Sequence, residues 1–242
     1  MGTLLNFFTY SFQPVNVPGL TLWLDAQDAS TFTLSGSAVS QWRDKSGRGN
    51  HAVQATGSLQ PTLAATGINS RAAVNFGATH RLTVVDHPTL DHTSLDIFAV
   101  LQRNVDSGAA QAVFNKYGGA TLPAEFQLVV TSGDVWQMQG STTGVGTNIN
   151  VLTGVTATVG QPALIECGHT GSNGFVSVNG ASPVLDGGSS GIVNSDGNLT
   201  LGRAIGADFQ GSIGEFLYFN RHLTAAERTE IVNYLKAKWG LT

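Results

Sequence analysis

Residues 198–241 read NLTLGRAIGADFQGSIGEFLYFNRHLTAAERTEIVNYLKAKWGL, and the fold follows from how this stretch is parsed. Asn198 to Arg203 alternates, with Leu199 and Leu201 on one face. Gly211 to Asn220 is a longer strand in which Ile213, Phe216, Leu217, Tyr218 and Phe219 supply β-branched and aromatic bulk. Thr224-Ala-Ala-Glu227 then spells a capping box, the threonine hydroxyl taking the N3 amide and the glutamate reaching back to the cap amide. Ile231, Leu235 and Trp239 fall on one helical face with Val232 beside them, and Gly240 stands where a left-handed cap belongs. Lys236 and Lys238 sit in the last turn, where the helix dipole favours positive charge. A run of strands closed by one amphipathic helix requires a sheet for that helix to cover.

Working outward, a chain of 242 residues with 30 glycines and 12% charged residues describes a turn-rich globular β-protein. Its net charge of −4 argues against a nucleic-acid partner. Cys167 is the sole cysteine, so an internal disulfide and a cysteine-based zinc site are excluded; in the apolar run PALIECGH it reads as a buried small hydrophobe. Residues 1–17 are apolar with Phe8, Tyr10 and Phe12 alternating, which reads as an edge strand or as an arm that docks on a neighbour. The first basic residue is Arg43, so a secretory signal is not expected, and the apolar part is too short for membrane insertion.

Between these ends the pattern predicts strands at 20–24, 38–42, 72–76, 81–85, 95–101, 112–117, 125–131, 135–139, 163–168 and 174–179. Ser132-Gly133-Asp134 marks a hairpin turn, residues 140–160 alternate only weakly, and 185–197 read as a Gly/Ser loop. Turns at this spacing fit a sandwich or barrel rather than a βαβ fold. No linker or repeat interrupts residues 18–242, which read as one domain.

Three pieces recur in a known order: Asp44–Ala52 in WRDKSGRGNHA, Phe76 with Leu82, and Phe209–Glu227 in FQGSIGEFLYFNRHLTAAE. Together they resemble the concanavalin A-like, laminin-G-like jelly-roll modules over roughly residues 18–240. The resemblance implies an all-β, antiparallel, two-sheet jelly-roll sandwich carrying one C-terminal amphipathic α-helix. Such modules occur in secreted lectin-like proteins, in carbohydrate-active multidomain chains and in bacteriophage virion proteins. They often hold Ca²⁺ on a rim loop, so calcium is the metal to test for, with no cofactor required.

Catalysis finds little support. Glucanases of this fold set carboxylates two apart on one strand, whereas Glu125, Glu166 and Glu215 each stand alone in theirs, leaving cross-strand pairing as the only route. The six histidines form no HExxH, and His87 and His92 share a loop with Asp86, Asp91 and Asp96 that is either solvated or a divalent site. Gly214 inside a strand suggests close approach of another backbone, and Arg203, Glu215 and Arg221 suggest ion pairs near the helix. A sugar site needs an aromatic platform beside polar donors. Trp23, Trp42 and Trp239 read as core; Trp136 is core or platform, and as platform it groups with Asp134, Tyr117 and Lys116. The expectation is a non-catalytic structural or interaction protein: a virion surface component (capsid decoration, tail or fibre) assembled in the host cytoplasm. Its partners would be other virion proteins or host surface glycans, as a homo-oligomer. The alternatives are a free-standing carbohydrate-binding module of a secreted bacterial protein and, third, a glucanase.

Overall fold

The computed structural model describes residues 12–117, 124–144, 146–204 and 206–242; most of the 1–17 arm lies outside them. In chain order the strands are β1 (Leu20–Asp25), β2 (Phe32–Ser35), β3 (Ala38–Trp42), β4 (Ala52–Val53), β5 (Thr62–Ile68), β6 (Arg71–Phe76) and β7 (Leu82–Val84). There follow β8 (Leu95–Arg103), β9 (Gln111–Tyr117), β10 (Ala124–Val130), β11 (Val135–Gly140), β12 (Ile149–Thr156) and β13 (Pro162–His169). The last are β14 (Gly174–Val178), β15 (Val184–Leu185), β16 (Leu199–Leu201), β17 (Arg203–Ala204), β18 (Ala207–Asp208) and β19 (Gly211–Phe219), before helix α1 (Ala225–Trp239).

All strands but the β17–β18 hairpin belong to one antiparallel hydrogen-bonded ladder. One stretch runs β15–β14–β13–β8–β19, and the far edge of β19 is shared by β1 and β6. From β6 the ladder passes through β5 and β3 to β4, then runs β7–β16–β9–β10–β11–β12. Its end strands lie against each other, β12 on β14 and β15. The result is a large, nearly closed, barrel-like sheet, and two sheets are not cleanly separated.

β19 is buried at every position, because both of its faces are covered. Inward, Phe216 meets Phe114 of β9 edge-on at 5.2 Å and Tyr218 meets Phe126 of β10 at 5.9 Å, closing the core between opposed parts of the ladder. Outward, β19 carries α1, whose Ile231, Leu235 and Trp239 are fully buried. The Thr224–Glu227 capping box and left-handed Gly240 bound the helix as the sequence predicts. The close approach at Gly214 is made by a side chain, not a backbone: a Cβ there would sit 2.5 Å from the Trp239 ring. The Trp239 indole donates to Glu215 Oε2 at 2.7 Å, Trp23 Nε1 donates to Oε1 at 2.8 Å, and Tyr234 donates to Oε1 at 2.9 Å. The ion pairs also differ from the expected set. Glu215 pairs with Lys238, Arg203 with Asp208 and Arg221 with Glu227, since the helix turns Lys238 down onto β19.

The SGRGN loop is scaffolding. Asp44 accepts from the amides of Trp23, Ser46 and Asn50, while Asn50 Nδ2 donates to Thr21 O at 2.7 Å, so the loop is tied to β1. Gly47 and Gly49 adopt φ of 83° and 80°, the left-handed region this tight loop demands. Phe12, at the described end of the arm, packs on Tyr234 of α1.

Candidate functional site

On β9, β10 and β11 the two-residue period separates two sets of side chains. Phe114, Phe126, Trp136 and Met138 point into the core, while Asn115, Tyr117, Gln127, Gln137 and Gln139 occupy the alternate face. Register places Gln127 directly opposite both Asn115 and Gln139. A hydrogen-bonded row results: Tyr117 OH donates to Gln127 Oε1 at 2.7 Å, Gln127 Nε2 to Gln139 Oε1 at 2.5 Å, and Gln139 Nε2 to Gln137 Oε1 at 2.9 Å. This row floors a groove of about 370 Å³, walled by Ala204 and Ala207 of the β17–β18 hairpin.

Across Tyr117 and Ala204 the groove continues into a cleft of about 660 Å³ lined by Arg81, Asn115, Asn198, Thr200 and Arg203. Asn115 Nδ2 donates to the Arg203 carbonyl, anchoring the hairpin over β9. Thr200 faces the cleft because Leu199 and Leu201 face the core.

Of the residues grouped from sequence, Tyr117 lines this groove and the other three lie elsewhere. Trp136 is 2% exposed with its ring in the core, one residue out of phase with Gln137 and Gln139, so it offers no open face. Asp134 adopts φ 59° in the β10–β11 turn and holds the buried Arg103 at 2.6 Å. Lys116 is fully buried on the face of β9 opposite Tyr117. Its Nζ lies 2.8 Å from Glu125, 2.8 Å from Asp91 and 3.1 Å from Asp86, and donates to Ser195 O at 2.6 Å. Burial opposes the ammonium charge, yet the Glu125 carboxylate and the bonds to Asp91, Glu125 and Asp86 carry the Lys116 pKa above its ordinary value. Burial pushes Glu125 up to about 7 against the pull of Lys116 and Ser195. This knot ties β9, β10 and the 86–91 loop together beneath the groove.

Carboxylates do meet through cross-strand pairing, each time with a cation between or beside them. Asp25 stands opposite Glu215 with Lys238 bridging at 2.7 and 2.8 Å. Arg228 clamps Glu166 with both its Nε and NH2. Burial raises the pKa of Glu215 and of Glu166, opposed by Lys238 and Arg228 respectively. No group of three or more His, Cys, Asp or Glu among the described residues is arranged to hold a metal ion. Where three carboxylates converge, the Lys116 ammonium already fills the centre. No helix among the described residues is long and apolar enough to cross a membrane.

The chain is similar to Trypanosoma rangeli sialidase in complex with sialic acid, at 13% identity and a TM-score of 0.65 over 94% of this chain and 34% of that one. The binding domain of Paraclostridial Mosquitocidal Protein 1 gives 13% identity and 0.65, covering 95% and 56%. The binding domain of botulinum neurotoxin DC, in complex with rat synaptotagmin II, gives 13% and 0.53, covering 90% and 52%. The likeness is one of fold. The chain spans about a third of the sialidase's length. No protein-family model matches it, and no curated protein matches its sequence.

Proposed function

We propose that this chain is a non-catalytic binding module that takes saccharide in the groove over β9, β10 and β11. The observation that carries the reading is the Tyr117–Gln127–Gln139–Gln137 row. Amide side chains present donors and acceptors together, as sugar hydroxyls require, and the half-buried Tyr117 adds a flat apolar surface for a ring face. That two of the similar folds are binding domains supports recognition over chemistry by analogy alone. The absence of catalysis is supported by the cations that neutralise each converging set of carboxylates. A glycan array with the intact chain tests the proposal. Saturable binding reduced by Q127A or Q139A is the expected result, and silence across broad glycan classes rejects it. Reducing-sugar release abolished by one glutamate substitution would reject the non-catalytic part.

In its finer form the reading is a jelly roll, supported by the facing of β9 and β10 on β19 across the core. The setting proposed is the surface of a phage particle, supported by the sequence resemblance, with residues 1–17 docking on a neighbouring copy. Sedimentation of the chain with and without residues 1–17 tests this; unchanged assembly removes the arm.

A further inference from the structure

We propose that the cleft beside the β17–β18 hairpin receives the oxyanion of an acidic saccharide, with Arg81 as the residue that reads its charge. The inference rests on the saccharide reading of the adjoining groove and adds a ligand class to it. Two arginines and no acidic side chain line the cleft among the described residues, in a chain whose 16 acidic residues outnumber its 12 basic ones. Elsewhere the buried or half-buried arginines are engaged: Arg103 by Asp106 and Asp134, Arg221 by Glu227, Arg228 by Glu166, and Arg71 by the carbonyls of Asn69 and Trp239.

Arg81 is different. Its backbone is fixed on both sides, its N donating to Leu59 O at 3.0 Å and its O accepting from Gln54 at 3.4 Å. Arg81 is half-buried, and its guanidinium has no hydrogen-bond or ion-pair partner among the described residues. A rigidly based, unpaired guanidinium presents a planar fork matched to carboxylate or sulfate. Arg203, on the other wall, spends only its Nε on Asp208, at 3.3 Å. Between them stand uncharged groups suited to hydroxyls. Thr200 contributes its hydroxyl, and Asn198, whose Oδ1 accepts from the Asp86 amide at 2.8 Å, keeps its Nδ2 to donate. Because Tyr117 borders both the cleft and the groove, one oligosaccharide can lie across the two, charged residue in the cleft and neutral residues on the amide row.

The test titrates the full chain with oligogalacturonate against its methyl ester, and with sulfated against unsulfated lactose, by calorimetry at low and moderate salt. One acidic ligand should bind about tenfold more tightly than its neutral counterpart, as expected for a charge-assisted pair, and the winning arm tells carboxylate from sulfate. R81Q should bring the two within about twofold, while R81K retains an intermediate preference because it keeps the charge without the fork. A thermal melt of R81Q should match the parent, since the guanidinium holds nothing in the fold; should it not, R81K alone carries the comparison. Equal binding of acidic and neutral sugars overturns this inference and leaves the saccharide reading standing. No binding of either removes both. Inorganic sulfate binding with the same Arg81 dependence, with no gain from the attached sugar, overturns the saccharide ligand class.

Discussion

Replacing Lys116 by methionine removes the ammonium from among Glu125, Asp91 and Asp86 while keeping most of the side-chain bulk. The effect should depend on pH in a way the structure specifies. Glu125 has its pKa raised from 4.5 to about 7, so it binds more protons folded than unfolded between those values, and stability falls as pH rises through that window. At about 1.4 kcal/mol per unit, its ionisation costs the parent roughly 3 kcal/mol at about pH 8. Without Lys116 the carboxyl stays protonated at that pH, which caps the penalty at roughly 5 kcal/mol, an extra loss of about 1.4 kcal/mol. Near pH 6 the parent's Glu125 is already mostly protonated, so the extra loss approaches zero. The ammonium's bonds to Asp91 and Ser195 O add a pH-independent loss of about 2 kcal/mol. Urea unfolding should therefore show K116M destabilised by about 2 kcal/mol near pH 6 and about 3.5 kcal/mol near pH 8. In an E125Q background the difference between the two pH values should vanish. A loss equal at both pH values, or larger at the lower, refutes the reasoning.

G214A should drive its methyl into the Trp239 ring and destabilise the fold by about 1–3 kcal/mol in urea, with a change in tryptophan fluorescence. Substituting T224A should lower the melting temperature through loss of about 1 kcal/mol of capping. Glu227, held down at about 2 chiefly by its bond to Arg221, contributes stability that is present above 4.5 and lost as pH falls toward 2; E227Q should flatten that acid limb of the melting profile. His169 has its pKa lowered by burial, its Nδ1 accepting from the Gly171 amide, so its contribution is present above 6.5 and fades on acidification; H169Q should remove that dependence.

The strands legible in the sequence were those with bulk or clean alternation. β3 matches its predicted bounds, and β8 and β19 differ from theirs by a residue or two at one end. β5, TLAATGI, carries small residues that neither alternate nor bulk out, and it forms because β6 pairs with it. β2 is short and exposes three of its four residues, and the outer edge strand β12 turns Leu152 outward, which blurs its period. The same period explains the site. Trp136 is the large aromatic of this strand, yet in VWQMQ its phase is inward, and the opposite phase, Gln137 and Gln139, is the readable signal for the groove. Arg81 and Arg203 carry no local signal at all. They reach one cleft because β16 pairs with both β7 and β9, a tertiary fact outside any window of sequence.

The seating of β19 between β1 and β8 also governs how the polypeptide can be made. Among the described residues the first strand pairs with the last, so β1 and β8 each keep an apolar edge open until β19 has been synthesised. Premature termination anywhere before Gly211 would leave those edges ready to pair with a stranger, and such fragments should precipitate rather than persist as smaller folded units.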